Sequence, residues 1–262
     1  MNNFGRVCEV MTENMKFSMD DFNIVASVPF DNDALPNEAE IQIWNLSDTT
    51  INNIKRGKIL MMNAGYLEDS GVILHGYISS VKTDRSGVDK ITTITVLDSE
   101  DLSKRQIKEI AYAKNTLASH IIKEMARYIG LPVAQMDLNQ DYRYQDGYTA
   151  KGPVTEIITK VAKDCGTSVY INKGKLYVRS LRRGGDSVFS LNKGTGLIGS
   201  PEYFEDATAK GYNVRSQLQY RITTAAVIDL ESELFKGRMH VRSGTHRISR
   251  TGDFMTEMEA LL

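Results

Sequence analysis

Two cysteines in 262 residues, Cys8 and Cys165, stand far apart in unlike contexts, which excludes a disulfide framework and a zinc knuckle. Charge of one sign is also missing. Lys and Arg total 32 against 33 Asp and Glu, net −1, so the overall balance gives no hint of a basic face for gripping DNA phosphates. No apolar run approaches the roughly 18 residues that a membrane-spanning helix needs. The opening MNNFGRVCEV lacks the basic-then-apolar layout of a signal peptide, so folding in a reducing cytoplasm is expected. Five prolines and no low-complexity tract argue against a fibrous or disordered chain. What is present, 41% hydrophobic and 25% charged residues, suits a folded protein of one large domain or of two or three modest ones, the latter expected.

Hydrophobic periodicity divides the chain into three parts. FNIVASVPF (22–30), EAEIQIWNLS (38–47), KILMMNAG (58–65), VILHGYISSVKT (72–83) and KITTITVLDS (90–99) read as strands, with DRSGVD (84–89) as a hairpin connection. SDTTINNIKRG (47–57) reads as one short helix capped by Ser47 or Asp48 and closed at Gly57. The middle changes period. TLASHIIKEMARYIG (116–130) places Leu117, Ile121, Ile122, Met125 and Ile129 on one helical stripe, with Asn115 or Thr116 as cap and Gly130 as stop. GPVTEIITKVAKDCG (152–166) repeats that design with Pro153 in its first turn. SVYINKGKLYVRS (168–180) is a hairpin closed at Lys173–Gly174. Strands return from about residue 186, and YNVRSQLQY (212–220) and AAVIDLES (225–232) alternate as half-covered strands do. The expected fold class is α+β, mainly β. Two small β-barrel domains, 1–105 and 186–262, flank an α+β insert of two helices and a hairpin at 106–185.

Candidate chemistry is sparse. In RMHVRSGTHRISRTGDF (238–254) the two histidines look like a possible metal or acid–base pair. With SGT (243–245) taken as a turn, strand alternation sends His240 and His246 to opposite faces, and Arg238 and Arg242 beside His240 would repel a cation. Glu257 and Glu259 share one face of the last strand, Phe254 and Met258 the other. His75 and His120 have no second ligand at strand or helix spacing, and Cys165 has no CxxC partner. GTGLIG (194–199) leads into Ser-Pro-Glu instead of a helix, which is wrong for a phosphate loop. Asp20–Asp21 reads as a turn or bulge. Arg179, Arg182 and Arg183 in VRSLRRGG (178–185) form the one basic cluster, expected to be a solvated loop. No catalytic, cofactor-binding or metal residues are assigned, and an enzyme is disfavoured.

The run EAEIQIWNLSDTTINNIKRGKILMMNAGY (38–66), continuing into GVILHGYISSV (71–81), resembles the N-terminal barrel of phage-tail baseplate hub proteins: an I-x-I-[YW]-N-L-S strand, a short helix ending I-x-x-G, an AGY turn and a G-x-I strand. GLIGSPEYFED (196–206), YNVRSQLQYRI (212–222) and GRMHVRSGTHRISRTGDFMTE (237–257) are similar to the closing barrel of hubs from prophages of Gram-positive bacteria, and 116–180 fits the insert between barrels. The resemblance implies a homotrimer whose six barrels make a pseudo-sixfold ring. Such a ring would adapt a hexameric tail tube or distal tail protein to a trimeric spike, fibre or tail-lysin protein. It would leave a channel for tape-measure protein and for DNA, which passes without sequence-specific binding. The implied place is the virion tail baseplate, assembled in the bacterial host cytoplasm, with no membrane span and no cofactor. Polar rather than strongly basic channel strands are expected, because a cationic wall would hold phosphates. The rival readings are the hub of a phage-tail-like bacteriocin or contractile injection system, a cell-wall hydrolase, and a nucleic-acid module built on the three arginines.

Overall fold

The computed structural model describes residues 4–102, 104–183, 188–206 and 209–262. The fold is α+β and mainly β. The first third supplies β1 (Arg6–Thr12), β2 (Lys16–Ser18), β3 (Ile24–Phe30), β4 (Glu38–Trp44), helix α1 (Asp48–Asn53), β5 (Ile59–Tyr66), β6 (Asp69–Ser86) and β7 (Asp89–Leu97). The middle supplies β8 (Gln106–Tyr112), β9 (Thr116–Leu117), α2 (Ala118–Ile129), β10 (Val133–Asp137), β11 (Arg143–Tyr144), β12 (Tyr148–Pro153), α3 (Val154–Asp164), β13 (Ser168–Asn172) and β14 (Lys175–Arg179). The last part holds β15 (Val188–Leu191), β16 (Leu197–Glu205), β17 (Lys210–Gln217), β18 (Val227–Glu231), β19 (Lys236–Ser249) and β20 (Phe254–Leu261).

Alternation builds the first core. Ile24, Ala26 and Val28 of β3, Ile41 and Ile43 of β4 and Ile94 and Val96 of β7 all point to one side and are buried. Val10 of β1 and Leu60 and Met62 of β5 reach the same cluster, so the sheet rolls around it. A second such core gathers Phe30, Val214, Ile228, Met239, Val241 and Met258. The two β-rich parts are not separate sheets. They share one 13-stranded ladder, ordered β2-β1-β5-β6-β7-β4-β3-β19-β20-β17-β16, with β18 on β19 and β15 on β18. The join is β19, whose Gly244–Ser249 pairs with Phe30–Val25 of β3.

The tail departs from expectation. SGT is no turn: β19 is one strand of 14 residues, and the hairpin to β20 closes at 250–253. A bulge at Arg242, between the Val241–Ala260 and Ser243–Glu259 pairs, explains the misreading. The extra residue shifts the parity, so Met239 and Val241 face the core before it and His246 and Ile248 after it.

In the insert, α2 and α3 bury the predicted stripes against β13 and β14, except for Leu117, which is half-buried in β9 just before the helix. Gly130 ends α2 at φ 73, and Lys173–Gly174, at φ 49 and 74, form the tight hairpin turn. The α2 cap differs from expectation. Asn115 lies in a turn and Thr116 donates to the Ala113 carbonyl, while Asp141 takes the Ser119 N–H at 2.9 Å and the Ser119 hydroxyl at 2.6 Å. Pro153 stands at the N-cap of α3, one residue before the helix. The hairpin tip is tied to the first β-rich part. Lys173 Nζ donates to the Val72 carbonyl at 2.6 Å, and the Ile171 N–H to that of Asp33 at 3.2 Å.

Candidate assembly surfaces

The side of the ladder away from its cores is a broad polar face. Glu40 and Gln42 on β4, Ser27 on β3, Thr245 and Arg247 on β19, Glu257 and Glu259 on β20 and Asn213 and Arg215 on β17 alternate with the buried residues of the same strands. A groove of about 620 Å³ runs over part of it, lined among others by Asn213, Arg215, Thr245, Glu257 and Glu259. Two arginines here are matched by acids. Arg247 pairs with Glu257 at 2.6 Å, and Arg242 with Glu259 at 2.7 Å and Asp206 at 3.2 Å. Carboxylates therefore balance or exceed guanidinium groups across the joined strands, and the face is not cationic.

The two β-rich parts have the same strand order. From one edge inward the first reads β1-β5-β6-β7-β4-β3, and the second β15-β18-β19-β20-β17-β16. In both, an early hairpin (β3–β4 or β16–β17) lies beside a later one (β6–β7 or β19–β20). The correspondence extends to irregularities. β6 carries a bulge at Ser79, between Ile78–Val96 and Ser80–Thr95, at the position of the Arg242 bulge in β19. The outermost pair breaks the likeness, since β1 runs antiparallel to β5 whereas β15 runs parallel to β18.

Residues singled out in the sequence are scattered. His240 is half-buried, with burial and the nearby Arg182 and Arg238 holding its pKa down. His246 is buried on the other face, its Nδ1 2.9 Å from Thr256 Oγ1, and burial pushes it down to about 3. The two imidazoles do face apart, through the bulge and not through a turn. His75 is half-buried and His120 is exposed beside Glu124 at 3.7 Å. Both cysteines are free and buried, and burial pushes the Cys8 thiol up to about 12 and raises that of Cys165. Asp20 and Asp21 lie in an exposed turn. Leu197, Ile198 and Gly199 of the GTGLIG run belong to β16.

The arginine cluster is not a solvated loop throughout. Arg179 is 4% exposed, its Nε donating to Tyr170 Oη at 2.8 Å and its Nη1 to Gln135 Oε1 at 2.6 Å. Arg183 pairs with Asp137 at 3.0 Å, and Gly184 and Gly185 lie outside the described residues. Among the described residues no group of three or more His, Cys, Asp or Glu is placed to hold a metal, and no helix is long and apolar enough to cross a membrane.

A buried polar seam lies where the hairpin tip meets both β-rich parts. Its small cavity is lined by His75, Asp98, Lys173, Tyr220, Thr223 and His246. Asp98 accepts the Asn37 N–H at 2.9 Å and the Asn37 Nδ2 at 3.1 Å. Desolvation nevertheless pushes its pKa up to about 7.

The sequence model described as "Baseplate hub gp41" matches residues 10–237. A search of curated proteins returns no match. Among solved structures, the chain is similar to a tail protein from Neisseria meningitidis MC58 (TM-score 0.72, 9% identity, 99% of this chain and 97% of that one). It is also similar to the 43 kDa tail protein of prophage MuSo2 from Shewanella oneidensis (TM-score 0.71, 9% identity, 98% of each chain). A third likeness is to an E. coli protein described as a component of the type VI secretion system (TM-score 0.65, 10% identity, 96% of this chain and 76% of that one). At such identities these three establish a shared fold.

Proposed function

This chain belongs to the baseplate hub gp41 family, and from that premise we propose that three copies close into a ring that couples a sixfold tail tube to a threefold tail tip. The observation that carries the reading is the repeated strand order within one subunit. A threefold ring of such subunits presents six near-equivalent lobes, which is what an adaptor between sixfold and threefold partners requires. In this assignment residues 1–105 and 186–262 are the two lobes, and 106–185 is an insert seated on them through its hairpin tip.

The polar face of the joined strands would then line the channel. Its acid-balanced charge suits that role, since a wall of unpaired Arg and Lys would exchange counterions for DNA phosphates and retain the genome. Tape-measure protein and DNA would pass through. A tube or distal tail protein would sit on one side, and a spike, fibre or tail-lysin protein on the other, in a virion tail assembled in the host cytoplasm. The fold likeness to a type VI secretion component supports a second setting, an injection particle that carries no genome. Capsid and terminase genes beside this one would separate the two.

The test is the mass of the purified protein combined with negative-stain images. The reading expects a trimer with a central hole and six lobes. A compact monomer at every concentration, or a twofold dimer, would refute it.

A further inference from the structure

We infer that the cleft between α3 and the β3–β4 loop is a docking groove for an amphipathic helix of another protein, with acidic residues along one flank of its apolar stripe and basic residues along the other. The site lies within one chain, and the inference does not depend on the ring.

The cleft holds about 940 Å³ where the insert meets the first β-rich part, a size and a setting common to binding sites. Leu35, Pro36, Leu97 and Leu102 give it an apolar side. Leu35 at its lip is 58% exposed, and the loop that carries it is tied down. Asp31 Oδ1 accepts the Asp33 N–H at 3.1 Å, Asp33 Oδ1 the Leu35 N–H at 2.7 Å and Asp98 Oδ1 the Asn37 N–H at 2.9 Å. From the second β-rich part, Thr224 Oγ1 donates to the Asp31 carbonyl at 2.7 Å. A leucine fixed in this way loses little conformational entropy when it is covered, which is what an anchor for a partner requires. Scattered exposed leucines need no such scaffold.

The same hydrogen bonds select the kind of chain that can dock. The N–H groups of Asp33, Leu35 and Asn37 are taken and Pro36 has none, so this lip offers an added strand no ladder to join. The other wall is α3, whose Thr159 hydroxyl is spent on the Thr155 carbonyl of its own helix at 2.8 Å. Affinity must come from buried side chains, as when a helix lies in a groove. From Glu156 to Lys163 the wall rises about 10 Å, or two turns. A helix of that reach presents apolar residues at i, i+4 and i+7.

The two lips differ in sign. Lys160 and Lys163 stand on the α3 side, and Asp33 and Glu38 on the β side; Glu156, in the first turn of α3, is the exception. Lys160, Lys163 and Glu38 form no ion pair among the described residues. The split follows the chain as a whole, since the insert has an excess of Lys and Arg and the β-rich parts an excess of Asp and Glu. An occupant with one sign on both flanks meets a repelling lip whichever way it lies. Mixed flanks meet none in one of their two directions, so charge also fixes the direction of the helix.

Three fluorescein-labelled synthetic helices test this against the full chain by anisotropy. All carry leucines at i, i+4 and i+7. One has Glu on one flank and Lys on the other, one has Glu on both, and one has Lys on both. The mixed peptide should bind with a Kd below ~100 µM and roughly tenfold more tightly than either of the others. Leu35→Ser should weaken it roughly fivefold. Lys160→Glu with Lys163→Glu makes both lips acidic, and the preference should pass to the all-lysine peptide. A photoreactive residue in place of the central leucine should label 33–36 or 155–163. Three peptides that bind alike or not at all, a preference unmoved by the lysine changes, or labelling elsewhere would each overturn the assignment.

Discussion

Replacing Asp98 by Asn should add a rising slope to the pH–stability profile. Asp98 is buried at the end of β7, held by Asn37 and faced by the carboxylates of Asp31 and Asp33. Its pKa rises from 3.8 to about 7. Between these values the folded chain holds one proton more than the unfolded chain, so this group makes stability fall as pH rises. At about 1.4 kcal/mol per unit, a shift of roughly 3 units sets a ceiling near 4 kcal/mol. His246 acts in the opposite sense. Its pKa drops from 6.5 to about 3, so between these values the unfolded chain holds the extra proton and stability rises with pH. In the wild type the two slopes offset each other from about pH 4 to 6.5. Asp98→Asn removes one of them. The amide can keep both links to Asn37 once the Asn37 amide is turned, much as the protonated acid does. Urea unfolding followed by the fluorescence of Trp44, the single tryptophan, gives stability at each pH. The variant-minus-wild-type difference should climb by about 1 kcal/mol per pH unit from pH 4 to 7 and then level off. A difference independent of pH would refute the burial argument for Asp98.

Three further substitutions probe the fold. A side chain at Gly244 would meet the Glu257 carbonyl and the Phe30 ring where β3 joins β19, so Gly244→Ala should cost about 1–3 kcal/mol in chemical denaturation. Arg179→Ala removes the buried guanidinium that donates to Tyr170 Oη and Gln135 and should cost about 2–4 kcal/mol, whereas Arg182→Ala, at the exposed end of the same cluster, should stay within about 0.5 kcal/mol; equal effects would restore the solvated-loop reading. Asp141→Ala removes the side-chain cap of α2 and should lower stability by about 1 kcal/mol, with faster amide exchange confined to the first turn of that helix.

The features legible in the sequence are those set by near neighbours. The α2 stripe of Ile121, Ile122, Met125 and Ile129 is buried as its spacing requires, and the Lys173–Gly174 turn closes the hairpin that its residues predict. The features hidden in the sequence depend on distant partners. Arg179 looks like one of three surface arginines until Gln135, 44 residues away, comes alongside it on a parallel strand. The α2 cap comes from Asp141, 22 residues on, because Asn115 is spent on a turn. The tail resembles a turn in sequence because a bulge breaks the alternation of β19 much as a turn would. The repeat itself leaves almost no trace in residue identity. Ile41 and Val214, or Ile94 and Met258, occupy matching buried places, while the outward Gln42 matches Arg215. Burial constrains hydrophobic class at these positions, and the exposed partners are free to differ.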